Sequence, residues 1–191
     1  MNRCIVMLAI FILLSCSSKK KNKNTEEIFP VRSFLQSQVK QVDTSLYRIV
    51  KVEKIDTNVT KSYVSREDFR ALAKDFLSMP DISAVEWKDD YDGSKMFEED
   101  MKAILMYTTQ EKENEIQRLD VILEPGSGEA TGKVQTIIVY LIKSNNDSTV
   151  IKNMVWYVDK RFTIVTKTQK KNQPEKAKTV EVIWNDFTDQ K

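Results

Sequence analysis

The chain has 191 residues, 41% of them hydrophobic and 30% charged, with 30 Lys and Arg against 28 Asp and Glu. That length and balance suit one folded domain and exclude wholesale disorder. Histidine is absent, which excludes a Ser-His-Asp triad, a Cys-His dyad, His-ligated zinc and an imidazole pH switch, since each needs an imidazole.

The N-terminus is the most informative segment. Met1, Asn2 and Arg3 form a short basic start, and residues 4–14 (CIVMLAIFILL) are an apolar run. A permanent membrane helix needs about 20 apolar residues, so this run is short for one. It has the length of a signal-peptide core, about 7–15 residues before a small-residue cleavage site. Leu13-Leu14-Ser15-Cys16 resembles a bacterial lipoprotein signal with its lipobox. The resemblance implies cleavage between Ser15 and Cys16, a diacylglycerol on the Cys16 sulfur, and attachment to a membrane through this N-terminal lipid. The alternatives are an ordinary secretory leader with a chance cysteine, or an N-terminal anchor helix.

One acyl chain binds a membrane only marginally, each buried CH₂ adding about 0.8 kcal/mol, so stable anchoring needs two or more. The resemblance implies at least two. Ser17 follows the cysteine, and likeness to lipoproteins of double-membraned bacteria makes that a signal for the outer membrane. The leader and the Lys/Asn-rich composition resemble a Bacteroidota chain. Surface-exported lipoproteins of that group carry acids just after the cysteine. Here Ser17, Ser18, Lys19, Lys20 and Lys21 stand there instead, which implies the periplasmic face. Cys4 would leave with the leader and Cys16 would be acylated, so the mature chain would hold no thiol and no disulfide.

Three segments are therefore expected: a signal peptide at 1–15, a polar, aperiodic tether at 16–28, and one domain at 29–191. No repeat of about 20–50 residues marks a solenoid or propeller. Within the domain, residues 29–44 read as a helix, with Pro30 in its first turn and Val31, Phe34, Leu35, Val39 and Val42 as an apolar stripe. Residues 46–55 alternate as a half-exposed strand. Ser65 caps a second helix, with Glu67 and Asp68 at its positive end and Phe69, Leu72, Ala73, Phe76 and Leu77 as its buried stripe. Pro80 ends it. Residues 81–101 read as acidic and irregular.

Residues 103–109 and 116–123 read as strands. Residues 124–132 hold three of the four glycines and form a loop. Residues 134–142 are apolar on both faces, as in a central strand covered on both sides or one lining a cavity. Residues 149–158 fit a strand or a short helix, and the i, i+4 lines Val150–Met154–Val158 and Ile151–Val155 favour the helix. Residues 162–168 and 179–184 read as a closing hairpin. The expected class is α+β: a mostly antiparallel, curved sheet of about six strands, with two or three helices packed on one face.

Candidate chemistry is thin, and no catalytic, metal or cofactor residue is assigned. Residues 88–99 overlay a twelve-residue calcium loop, with Asp90 at position 3, Asp92 at 5, Gly93 at 6 and Glu99 at 12, but Lys88 puts a cation where position 1 needs a ligand. A solvated acidic loop, with Glu86, Asp89, Glu98 and Asp100, is the plainer reading. A carboxylate-dependent hydrolase would need two acids held about 5–9.5 Å apart across a cleft, and nothing in the sequence pairs two. Gly126, Gly128, Gly132 and Lys133 lack the spacing of a phosphate loop. Trp156 and Trp184 lie in apolar runs and read as core, whereas Trp87 lies in a polar stretch. Asp147-Ser148-Thr149 resembles the short O-glycosylation acceptor of Bacteroidota envelope proteins.

Residues 1–24 carry Arg3, Lys19, Lys20, Lys21, Lys23 and no acid, which leaves 25 bases against 28 acids in the remainder. The folded part is slightly acidic, and nucleic acid is not an expected partner. The likeness to uncharacterised envelope lipoproteins implies a non-enzymatic protein that binds another envelope protein or supports the outer membrane. A curved antiparallel sheet under helices also loosely resembles periplasmic lipoprotein carriers and receptors, which implies a hydrophobic ligand as the alternative partner.

Overall fold

The structure, a computed structural model, describes residues 27–97, 102–124 and 132–185. Ser15, Cys16, Glu98, Glu99, Asp100, Gly126 and Gly128 lie outside the described residues.

Twelve elements follow one another. Helix α1 (Val31–Thr44) leads into the hairpin β1 (Val50–Ile55) and β2 (Asn58–Tyr63). Helices α2 (Arg66–Leu72) and α3 (Lys74–Ser78) come next. Seven strands follow among the described residues: β3 (Tyr91–Phe97), β4 (Ala103–Thr109), β5 (Ile116–Leu123), β6 (Val134–Ser144), β7 (Ser148–Tyr157), β8 (Arg161–Lys170) and β9 (Lys176–Ile183). They form one antiparallel sheet in the order β2-β1-β9-β8-β7-β6-β5-β4-β3. Strands β3 to β9 are a meander of sequential neighbours, and the β1–β2 hairpin adds to it through β9. β2 and β3 are the two edges, so the sheet is open.

This corrects the expected class. The described residues are mostly sheet, with nine strands where about six were expected and three short helices. The extra strands are β2, β3 and β7. β2 and most of β3 are solvent-exposed, so neither shows the apolar alternation that marks a half-buried strand. β7 replaces the short helix favoured at residues 149–158. Its register places Val150, Lys152, Met154 and Trp156 on one face and Ile151, Asn153, Val155 and Tyr157 on the other.

All three helices cover one face. α1 buries Val31, Leu35, Val39 and Val42. Ser65 Oγ accepts a hydrogen bond from Asp68 N at 3.1 Å and so caps α2. The single helix expected after Ser65 breaks at Ala73 into α2 and α3, which still bury Phe69, Ala73 and Phe76 together. Phe69 meets Trp184 edge-on at 5.5 Å, and Phe76 meets Trp156 edge-on at 5.2 Å. Trp156 in turn stacks on Phe162 at 5.2 Å. These aromatic side chains, all fully buried, are the centre of the core.

The other face carries no helix among the described residues. β6 therefore differs from the strand expected there: Ile137, Val139 and Leu141 are buried under the helices, while Ile138, Tyr140 and Ile142 are half-buried on the open face. Its open-face side chains shelter one another across neighbouring strands rather than lying under a second layer. The tight turns use short polar residues in the left-handed region, Asp56 (φ 54°), Asp159 (φ 59°) and Asn172 (φ 59°). Gly132 sits so close to the Glu124 carbonyl that a Cβ would collide with it, which fits a strand-entry turn.

Candidate interaction surface

Three regions of the molecule could receive a partner or ligand: the space under the helices, a cleft between two turns, and the surface at β2.

The space under α2 and α3 is filled. Ring centroids among Phe69, Phe76, Trp156, Phe162 and Trp184 lie 5.2–6.2 Å apart. These are van der Waals packing distances for aromatic groups and leave no room for an acyl chain among them. The Trp156 indole nitrogen is buried and has no hydrogen-bond partner among the described residues.

The residues singled out from the sequence are dispersed. Trp87 is half-buried and packs against the core. Tyr91 is buried, its hydroxyl donating to the Ile116 carbonyl at 2.9 Å, and burial pushes its pKa up to about 12. The Tyr107 hydroxyl accepts from Phe29 N at 3.0 Å and so fastens the entry to α1. Asp92 and Gly93 lie within strand β3, and residues 91–97 run straight rather than wrapping as a calcium loop would. Among the described residues no group of three or more acidic or cysteine side chains is placed to hold a metal ion.

A cleft of about 250 Å³ lies where the β6–β7 and β8–β9 turns meet, lined by Asn145, Asp147, Thr149, Gln169, Lys171 and Asn172. It is shallow and wide. Its polar atoms are committed to the turns: Asn145 Oδ1 accepts from Asp147 N at 3.0 Å and Ser148 N at 2.8 Å, and Lys171 N donates to the Asp147 carbonyl at 3.0 Å. Ser148 and Thr149 begin β7 here, and the Ser148 hydroxyl donates to Asn145 Oδ1 at 3.2 Å.

The β2 edge presents the clearest unsatisfied surface. All six of its residues are exposed. Val64 N donates to the Ile49 carbonyl at 3.1 Å, which fixes the bonded pairs of the hairpin as Ile49–Val64, Lys51–Ser62 and Glu53–Thr60. The backbone N–H and C=O of the alternate residues Val59, Lys61 and Tyr63 therefore point away from β1 into solvent. Their side chains share the open face, with Val59 62% and Tyr63 75% exposed. Beside them the link from α1 to β1 carries Leu46, fully exposed, and Tyr47. Arg48 lies over the Tyr63 ring at 5.7 Å, and Arg66 holds the link by donating to the Ser45 and Tyr47 carbonyls. Sequence reasoning missed this site because the run is polar, although apolar Val59 and Tyr63 flank Lys61 at strand spacing.

Comparison with protein families, with characterised proteins and with solved structures finds no match to this chain. Function therefore rests on the residues and the geometry.

Proposed function

We propose that the chain is an envelope lipoprotein, anchored to the outer membrane through a lipid on Cys16 and facing the periplasm, that acts by binding a partner rather than by catalysis. Support for the anchor is the leader itself: a basic start, an apolar run too short to span, and Ser15-Cys16 at its end. Among the described residues no helix is long and apolar enough to cross a membrane.

Support for binding over catalysis or carriage comes chiefly from one observation, the interlocked packing of Phe69, Phe76, Trp156, Phe162 and Trp184 beneath the helices. A carrier of hydrophobic ligands places its cargo in an apolar cavity. Here the volume beneath α2 and α3 is occupied by the protein's own rings. The strongly shifted groups also have structural explanations. Glu53 sits between two lysines, and Tyr91 is buried in a hydrogen bond.

The anchor is tested by Cys16→Ala. That variant is expected to accumulate as unprocessed precursor and to take up no labelled palmitate. Labelling equal to the parent would falsify the assignment. Crosslinking in intact envelopes is expected to give one discrete adduct, whereas recovery of stoichiometric lipid from the purified chain would support carriage instead.

A further inference from the structure

We infer that the β2 edge is the partner-binding site, and that it takes an extended peptide segment as a tenth strand. The segment has an acidic residue flanked, two positions to either side, by apolar residues. This deepens the partner-binding reading above and rests on it.

The backbone supplies the first reason. A sheet edge with outward N–H and C=O groups is a template for strand addition, and Val59, Lys61 and Tyr63 offer three such residues in line. β2 has no proline and pairs with β1 in unbroken register, so the template is continuous. Lys61 at its centre is an edge-blunting charge.

Charge supplies the second reason. Register puts Lys54 and Lys61 on the open face with Val59 and Tyr63, and Arg48 lies over the Tyr63 ring, while Glu53 is on the helix-covered face. Glu53 is already bonded to Lys51 and Lys178. This basic corner stands on a domain that is otherwise slightly acidic, so it selects an acidic partner.

Side-chain direction supplies the third. A strand bonded to the edge would lay alternate side chains on the open face beside Val59, Lys61 and Tyr63, and the others beside the small polar Thr60 and Ser62. An acid opposite Lys61 and apolar groups opposite Val59 and Tyr63 satisfy the three side chains on the open face. Self-pairing is disfavoured. The register that matches Val59 to Tyr63 of a second copy sets Lys61 against Lys61.

The test is a peptide-display selection of random nine-residue segments against the full-length chain purified in detergent. The expected result is a consensus of apolar–x–acid–x–apolar. Binding of a selected peptide, read by fluorescence anisotropy, is expected to be lost in Lys61→Pro, which removes an outward N–H but no bond to β1. Lys61→Glu keeps the backbone and should weaken the acidic peptide about tenfold while accepting a Lys-centred one. The inference is overturned if no consensus emerges, if Lys61→Pro binds as the parent does, if sedimentation shows a dimer that Lys61→Pro dissolves, or if the edge instead binds phosphatidylglycerol vesicles with no peptide preference. None of these readouts depends on acylation, so failure here leaves the Cys16 anchor standing, and failure of the anchor leaves this test intact.

Discussion

Glu53 on β1 is bonded to Lys178 on β9 at 2.7 Å, and to Lys51 on its own strand at 2.8 Å. The first of these links ties the β1–β2 hairpin to the meander across the one sheet joint that is not sequential. The Lys178 bond is the larger cause, and together the two lysines lower the Glu53 carboxyl from 4.5 to about 2.

A carboxyl whose folded pKa lies below its unfolded value stabilises the fold fully above the unfolded pKa and loses that contribution as pH falls through the folded one. The window here runs from 4.5 down to about 2. Lys178 is 48% exposed, so solvent screens the pair and its worth is about 0.2–1 kcal/mol. Glu53→Gln is expected to lower stability by that amount at pH 7 and by progressively less toward pH 2. Urea unfolding of parent and variant across this range checks it, and a difference that is constant with pH would contradict it.

Trp156 is fully buried among Phe76, Phe162 and Trp184. Trp156→Ala is expected to cost about 3–5 kcal/mol, the usual range for removing a large buried aromatic. Trp156→Phe should cost less, about 1–2 kcal/mol, because it also removes a buried N–H that has no acceptor. Denaturant unfolding of both variants measures the gap, and equal losses would contradict it.

Asp120 is a buried carboxylate on the open face, placed by register between Met106 and Ile138. Arg118 holds it with Nε bonds of 2.9 and 3.0 Å and an Nη2 contact of 2.9 Å. Arg118→Met strands the carboxylate among apolar neighbours, at an expected cost of about 1–3 kcal/mol. Replacing both residues, Arg118→Met with Asp120→Leu, should recover most of that loss, since an apolar pair needs no partner. Thermal or urea unfolding of the single and double variants tests the recovery.

Some of this architecture is legible in the sequence and some is not, for reasons that particular residues show. The stripe Val31–Leu35–Val39–Val42 is readable because a helix with one covered face must repeat its apolar residues at three and four. Ser65 is readable because a cap is local chemistry. β7 is not. Val150, Ile151, Met154 and Val155 are apolar on both faces, and a run without alternation fits either period. β2 and β3 are not readable because edge strands lie largely in solvent and carry no core signature. The surface at Val59, Lys61 and Tyr63 is invisible for the same reason: its outward backbone groups exist only once β1 takes up the inner ones.

The amino-acid sequence by itself excludes imidazole chemistry and places a short apolar run ahead of a polar, charged stretch. It also separates a basic N-terminus from a slightly acidic domain. Those properties are sums and local patterns, and no folding is needed to know them. Tertiary structure alone decides that the aromatic residues of α2, α3, β7, β8 and the chain after β9 converge on one another. It also decides that, among the described residues, one sheet face carries no helix and a basic corner ends in an edge strand. These depend on register between residues far apart in the chain, and a one-residue slip of a strand would turn its side chains to the other face.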